Sequence, residues 1–388
     1  MNVTRSCRLA CVAALWALCG CSGGTTAPTS PKALTITGGN LQTGCLLQPL
    51  PESLEVTVTG SDGTPLAGAA VTWNVTGGSA TLSSTVRTTD PSGRARVQLA
   101  LGLALSPIAV SASTGGAPAV AFSAIGRVAS YGLGQTTSST LNASSCTFVG
   151  GGPFDAYALT LTGAQSFVAS MSSDSFDAAL EVVDEHFTLG GAYNFDSVPG
   201  RGVTNSFLKM IAAGGAFGIA AAAQNLGGAG SYTLTTTAVP VYADSCLNDV
   251  WVTRGIVTQQ ELKATDCVDG TGPYYFDAFQ MVLVSGQTVT ITESSAAFDA
   301  ELFVHSTSGK IVFDDNSGGG TNARLSYTNS SSGAEQLSIL PSTATVGATG
   351  AYALTIDPAM VTSSAGTTAA LFGTPQAARH FAGALRSR

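Results

Sequence analysis

Five oxygen-bearing side chains in the C-terminal third of the chain form its most suggestive chemical pattern. Asp314, Asp315 and Asn316 stand together before Gly318-Gly319-Gly320, while Asp277 and Asp299 each follow a phenylalanine upstream. Carboxylates and amide carbonyls at a Gly-rich turn are the ligand type of calcium, which takes about six to eight oxygens. These five residues are the candidate calcium site, with Glu301 flanking the same stretch, and calcium is the one cofactor they suggest. The competing reading is that Asp and Asn in a turn bond their own backbone and need no metal. No EF-hand spacing is present, which favours this second reading, and nothing in the chain requires a cofactor.

Hydrolytic chemistry has less support. The histidines are His186, His305 and His380, and the chain holds neither a Gly-x-Ser-x-Gly elbow nor a His-Glu-x-x-His pair. A nucleophile–His–acid set can assemble in space without a local motif, but no spacing points to one. Asp184-Glu185 reads as the solvated rim of a turn rather than an acid and base pair. The glycine runs Gly150-Gly151-Gly152 and Gly318-Gly319-Gly320 lack the Lys-Ser/Thr of a phosphate loop. We expect no catalytic residues and no enzyme. Tyr274 and Tyr275, beside Phe276, are the ligand-binding candidates, because polysaccharide and peptide polymers stack on exposed rings. Alternation along a strand would bury Phe276 and turn Tyr275 outward; packing in a core or rim is the alternative for all three.

The elements that must position these residues are strands. The chain has 388 residues, of which only 10% are charged and 46 are glycine. Short Val/Thr/Ala-rich runs separated by turn signals predict an all-β protein. With Lys+Arg 16 against Asp+Glu 24, the net charge of −8 disfavours nucleic acid, which needs clustered cations.

At the N-terminus, Arg5 and Arg8 precede an apolar run, Leu9 to Leu18, too short to span a bilayer. It leads into Leu18-Cys19-Gly20-Cys21, which resembles a bacterial lipoprotein box with Cys21 as the lipidated residue. Ser22 follows, where the family uses Asp for inner-membrane retention. The resemblance implies an exported protein held to the membrane through a lipid at Cys21, at the outer membrane or cell surface; an ordinary signal peptide cut nearby is the alternative. Met210 to Ala223 is also apolar, but its glycines and its place in a repeat predict a buried strand.

Export makes disulfides available to Cys45, Cys146, Cys246 and Cys267, with three connectivities open. Cys246 with Cys267 is the preferred pair, flanking the entry to one domain and stabilising it by about 3 kcal/mol in the chain-entropy model. Cys45 with Cys146 would have to bridge two domains. Zinc is not expected, since no Cys-x-x-Cys occurs.

Residues 22–32 read as a flexible tether. From residue 33 to 126 about seven strands are predicted, including Leu54 to Thr59, Val71 to Val75, a run through Ala95, Val97 and Leu99, and Ile108 to Ala112. Asp62-Gly63-Thr64-Pro65-Leu66-Ala67-Gly68-Ala69-Ala70-Val71-Thr72-Trp73 and Thr89-Asp90-Pro91-Ser92-Gly93-Arg94-Ala95 resemble the bacterial Ig-like group 1 (invasin/intimin-type) domain. The resemblance implies a rigid spacer and makes Trp73 a core residue.

The remainder is written twice. Phe154-Asp155-Ala156-Tyr157, Phe176-Asp177-Ala178-Ala179-Leu180 and Gly230-Ser231-Tyr232-Thr233-Leu234-Thr235 recur as Phe276-Asp277-Ala278-Phe279, Phe298-Asp299-Ala300-Glu301-Leu302 and Gly350-Ala351-Tyr352-Ala353-Leu354-Thr355. A repeat this long means tandem domains rather than a solenoid. The copies, 127–239 and 240–358, resemble the bacterial pre-peptidase C-terminal domain, the first being degenerate with Phe195 where the second has Asp315. That resemblance implies a jelly-roll-like sandwich that accompanies secreted peptidases and in some members binds collagen, other polymers or calcium. Residues 359–388 read as a mobile basic tail. The whole is expected to be three β-sandwiches in series on a lipid anchor, binding an extracellular protein or polysaccharide without catalysis. A structural envelope lipoprotein is the alternative; an accessory role beside a secreted hydrolase has less support, because the chain carries no peptidase domain.

Overall fold

Alternating Val, Thr, Ala and Ser residues make strands, because β-branched side chains fit a pleated surface with one face in the core. In the computed structural model the described residues are 30–102, 105–148, 152–184, 192–194, 205–224, 227–243, 250–268 and 272–357, and all their regular elements are strands.

The N-terminal body packs two sheets. Pro31–Gly38, Leu54–Gly60 and Arg94–Val97 form one. The other runs in the order Gln42–Gly44, Ala117–Gly126, Ile108–Thr114, Ala70–Gly77, Val86–Thr88. Between them lie Leu54, Val56, Val58, Val71, Ile108 and Val110, with Trp73 fully buried and its ring centroid 5.6 Å from that of Phe122. The single run predicted through Ala95, Val97 and Leu99 is two strands: Arg94–Val97 pairs in the first sheet, and Leu99–Leu101 pairs with Ala80–Leu82. Gln98 makes the switch, its amide donating to the Leu50 carbonyl at 2.5 Å. At the turn before these strands Gly93 has φ +72, and a Cβ there would lie 2.7 Å from the Val58 carbonyl oxygen, so glycine is required.

The first copy is also a sandwich. One sheet has the order Ala129–Tyr131, Pro153–Leu161, Gly215–Ala223, Ala178–Asp184, Ala192–Asn194. The other begins Thr136–Leu141, Gly230–Ala238, Gln165–Ser172, Ser206–Ala212. The apolar stretch from Met210 to Ala223 is not one strand but the end of Ser206–Ala212 and all of Gly215–Ala223, with Gly215 at φ +146 where the second begins.

The second copy repeats this plan, with Ile256–Leu262, Gly350–Asp357, Thr288–Ser295 and Ala323–Thr328 as one sheet. Its other sheet does not stand apart. The short strand Val250–Val252 pairs in parallel with Phe279–Leu283 of its own copy and with Ser206–Ala212 of the first. One 11-stranded sheet therefore crosses both copies. The cores follow: Trp251 and Val282 belong to the first copy's core, and Ile211 to the second's.

Candidate functional site

The motif shared by the copies begins with Phe-Asp and ends with a Tyr-containing strand, and the fold brings that Asp and Tyr together. In the second copy the Tyr352 hydroxyl donates to Asp277 Oδ2 at 2.5 Å, with both side chains buried. In the first copy Tyr232 donates to Asp155 Oδ2 at 2.8 Å, Ser139 donates to the same oxygen at 3.1 Å, and the Tyr157 and Tyr232 hydroxyls lie 2.6 Å apart. Burial, followed by the charge and hydrogen bond of Asp277, pushes the Tyr352 hydroxyl well above the usual tyrosine range. Burial, then its bonds to Tyr157 and Asp155, pushes Tyr232 up as well. Such a phenol stays protonated and serves as a donor. The pair latches the repeated Phe-Asp segment to the closing strand, Asp155 lying in Pro153–Leu161 and Asp277 between Tyr275–Phe276 and Phe279–Leu283.

Asp277 is therefore committed to a latch rather than to an exposed cation site. Asp314 ends the strand Ile311–Asp314, and its Oδ2 accepts the amides of Ser317 at 2.9 Å and Arg324 at 2.7 Å. Burial raises that carboxyl, but the hydrogen bonds from Ser317 and Arg324 outweigh it and hold it below the usual carboxylate range. Asp315 and Asn316 are exposed in the turn that follows, where the Asn316 carbonyl accepts the Gly319 amide at 3.2 Å. Asp299 is half-buried, with Oδ1 shielded from solvent. Among the described residues no group of three or more His, Cys, Asp or Glu side chains is placed to hold a metal ion, so these five residues are not gathered into one site.

Glu293 is a buried acid that sequence reading missed. It projects inward from Thr288–Ser295, is 0% exposed, and accepts the Ser342 amide at 3.2 Å through Oε2, while Oε1 has no hydrogen-bond partner. Burial, then the nearby charges of Asp277 and Glu301, push its carboxyl well above the usual range. The alternation of Val289, Ile291 and Glu293 was the available signal.

Tyr274, Tyr275 and Phe276 are all half-buried, so alternation does not separate them. Tyr275–Phe276 is a two-residue strand between Cys267–Val268 and Glu335–Thr343, and the Tyr275 carbonyl accepts the Ser342 hydroxyl at 3.1 Å. The exposed aromatic surface lies elsewhere. On the hairpin of Ala300–Ser306 and Ile311–Asp314, Phe303 sits opposite Phe313, with ring centroids 5.8 Å apart and planes 28° apart. Phe313 is 66% and Ile311 61% exposed, and His305, opposite Ile311, meets Phe303 edge-on at 6.4 Å. Val312 points the other way, against the core. Period-two alternation in Ile311-Val312-Phe313 carries this signal, but the sequence does not tell which face is solvent.

His186, His380, Cys21 and Cys246 lie outside the described residues. Cys267 is disulfide-bonded, and Cys45 is joined to Cys146 across 101 residues. That bond does bridge the N-terminal body and the first copy, because the strand Gln42–Gly44 ends beside the strand Cys146–Thr147. No helix in the described residues is long and apolar enough to cross a membrane.

Residues 51–122 match the bacterial Ig-like domain (group 1) family. No curated protein matches the chain. Among solved structures, the pre-peptidase C-terminal domain of collagenase from Bacillus anthracis is 15% identical, covering 28% of this chain and 94% of its own, with TM-score 0.23. The D00-D0 domain of intimin is 25% identical over 26% of this chain and 50% of its own, with TM-score 0.19. InvD of Yersinia pseudotuberculosis is 12% identical over 77% of this chain and 82% of its own, with TM-score 0.20. The protein is thus an all-β chain of several sandwiches, one of them a bacterial Ig-like domain.

Proposed function

We propose that the protein is a non-enzymatic surface lipoprotein, anchored through Cys21, whose Ig-like body presents the paired copies to an extracellular protein or polysaccharide. The observation that carries this reading is the apolar platform on the second copy in which exposed Ile311 and Phe313 lie beside half-buried Phe303. An exposed ring held in place by stacking on a half-buried one is ready for a partner, and its burial is the driving force of recognition. The matched Ig-like family and the lipoprotein-like leader support a surface setting. The reading assigns no catalytic residue and no required cofactor.

The test is binding of the full chain to an array of polysaccharides and matrix proteins, with calcium and with chelator. Saturable binding weakened about tenfold or more by Phe313→Ser is the expected result. Loss of binding in chelator would add calcium to the mechanism. Absence of any saturable binding, or equal binding by the variant, would sink the platform and leave a structural envelope protein.

A further inference from the structure

The chain has two joints between its sandwiches, and they are built differently. The joint between the copies is a continuous sheet with interleaved cores, through Val250–Val252. The joint between the Ig-like body and the first copy has no strand pairing across it among the described residues. There the chain leaves Ala117–Gly126 and enters Ala129–Tyr131 through Arg127 and Val128 alone.

Among the described residues the hydrogen bonds around that linker are solvent-facing. The Arg127 amide donates to the Gly44 carbonyl at 2.7 Å, and its guanidinium to the Ser144 carbonyl at 2.5 Å. The Gln48 amide donates to the Thr147 carbonyl and lies 3.2 Å from its hydroxyl. Exposed bonds of this kind compete with water and hold an angle weakly. The exception is the Cys45–Cys146 disulfide, with Cα atoms 5.4 Å apart. Cys146 is 4% exposed and sits with Phe154, Ala179 and Ala222; Cys45 and Phe148 close over that cluster, and Phe148 stacks on Phe154 at 4.1 Å. The small side chains of Ala156, Ala179, Ala220 and Ala222 line the sheet face on which the disulfide packs.

We propose that Cys45–Cys146 is the lock of this joint. With the bond in place, the linker and the disulfide tie the Ig-like body to the first copy at two points and fix its angle. Without it, Arg127–Val128 is a hinge about which two folded bodies move.

The experiment compares the full chain with its Cys45→Ser, Cys146→Ser double variant, in which the Cys267 bond remains. Trypsin reads the joint directly, because Arg127 lies in the linker while Arg94 and Arg96 lie within an Ig-like strand. The expected result is cleavage after Arg127 about tenfold faster in the variant, with Arg94 and Arg96 still protected. X-ray scattering of the uncut variant should show a broader spread of maximum dimensions. Unchanged cleavage and scattering would overturn the proposal, since the remaining contacts would then suffice. Cleavage rising equally at Arg94 and Arg96 would also overturn it, making the bond a staple of the Ig-like fold. Phosphine reduction of the already folded parent chain repeats the comparison where the variant folds poorly, read at the same three arginines.

Discussion

Glu293 occupies the place that Met171 holds in the first copy. Gln165–Ser172 and Thr288–Ser295 run in step, Phe167 against Val289 and Ala169 against Ile291, and both Met171 and Glu293 are buried. A carboxyl whose folded-state pKa is raised binds its proton more tightly in the native state than in the unfolded chain. Its contribution is therefore complete below the unfolded value of about 4.3 and is lost as pH rises through the folded value. Glu293→Met should raise the melting temperature near neutral pH and flatten the loss of stability as pH rises above the unfolded value of about 4.3. Thermal melts across that range check it, and a lower melting temperature in the variant would show that Glu293 is held by something favourable. The latch gives the opposite expectation. Tyr352→Phe removes one donor from buried Asp277 and should cost about 1–3 kcal/mol in urea unfolding, whereas a neutral result would mean that other partners of Asp277 suffice. The sequence showed both members of this latch as recurring motif residues but not their pairing, because they stand 75 residues apart and meet only through the sheet. For that reason Asp277 looked like a cation ligand.

Strands were the most legible part of the chain. Leu54–Gly60 and Ala70–Gly77 fall where alternation placed them, and Trp73 lies in the core. What alternation could not supply was the sheet to which each strand belongs. Gln98 splits one apolar run between two sheets through bonds to Ser83 and Leu50, residues distant in sequence. The same limit hid the platform: Ile311 and Phe313 share a face on any strand, but only the assembled hairpin shows that this face meets water. Because those side chains are largely exposed, Ile311→Ser and Phe313→Ser should change stability by no more than about 0.5 kcal/mol. Denaturant curves for the two variants check this; a larger loss would make the rings part of the fold and confound any binding defect.

At the scale of the whole molecule, the tandem repeat and the Ig-like segment were legible, and the fusion of the two copies was not. Val250-Trp251-Val252 offers only three residues, too few for a confident strand, and its partners come from opposite sides of the repeat boundary. The fusion has a calorimetric consequence. Shared strands and shared cores make the copies one cooperative unit, so heating should give two transitions, one for the Ig-like body and one for both copies. Three resolved transitions would show that the crossing strand contributes little.

The fusion also sets the chemistry of its own junction apart from that of the pair's outer strands. The crossing uses Trp251, Val282 and Ile211, each at most 6% exposed. The corresponding positions at the outer ends of the pair are Ser130, Thr160 and Thr328, all exposed. Where the copies meet, the surface is oily; where a third copy or a neighbouring molecule would meet them, the same places carry hydroxyls. Ala323–Thr328, the outer strand of its sheet among the described residues, thus keeps the backbone geometry of a socket without its apolar surface.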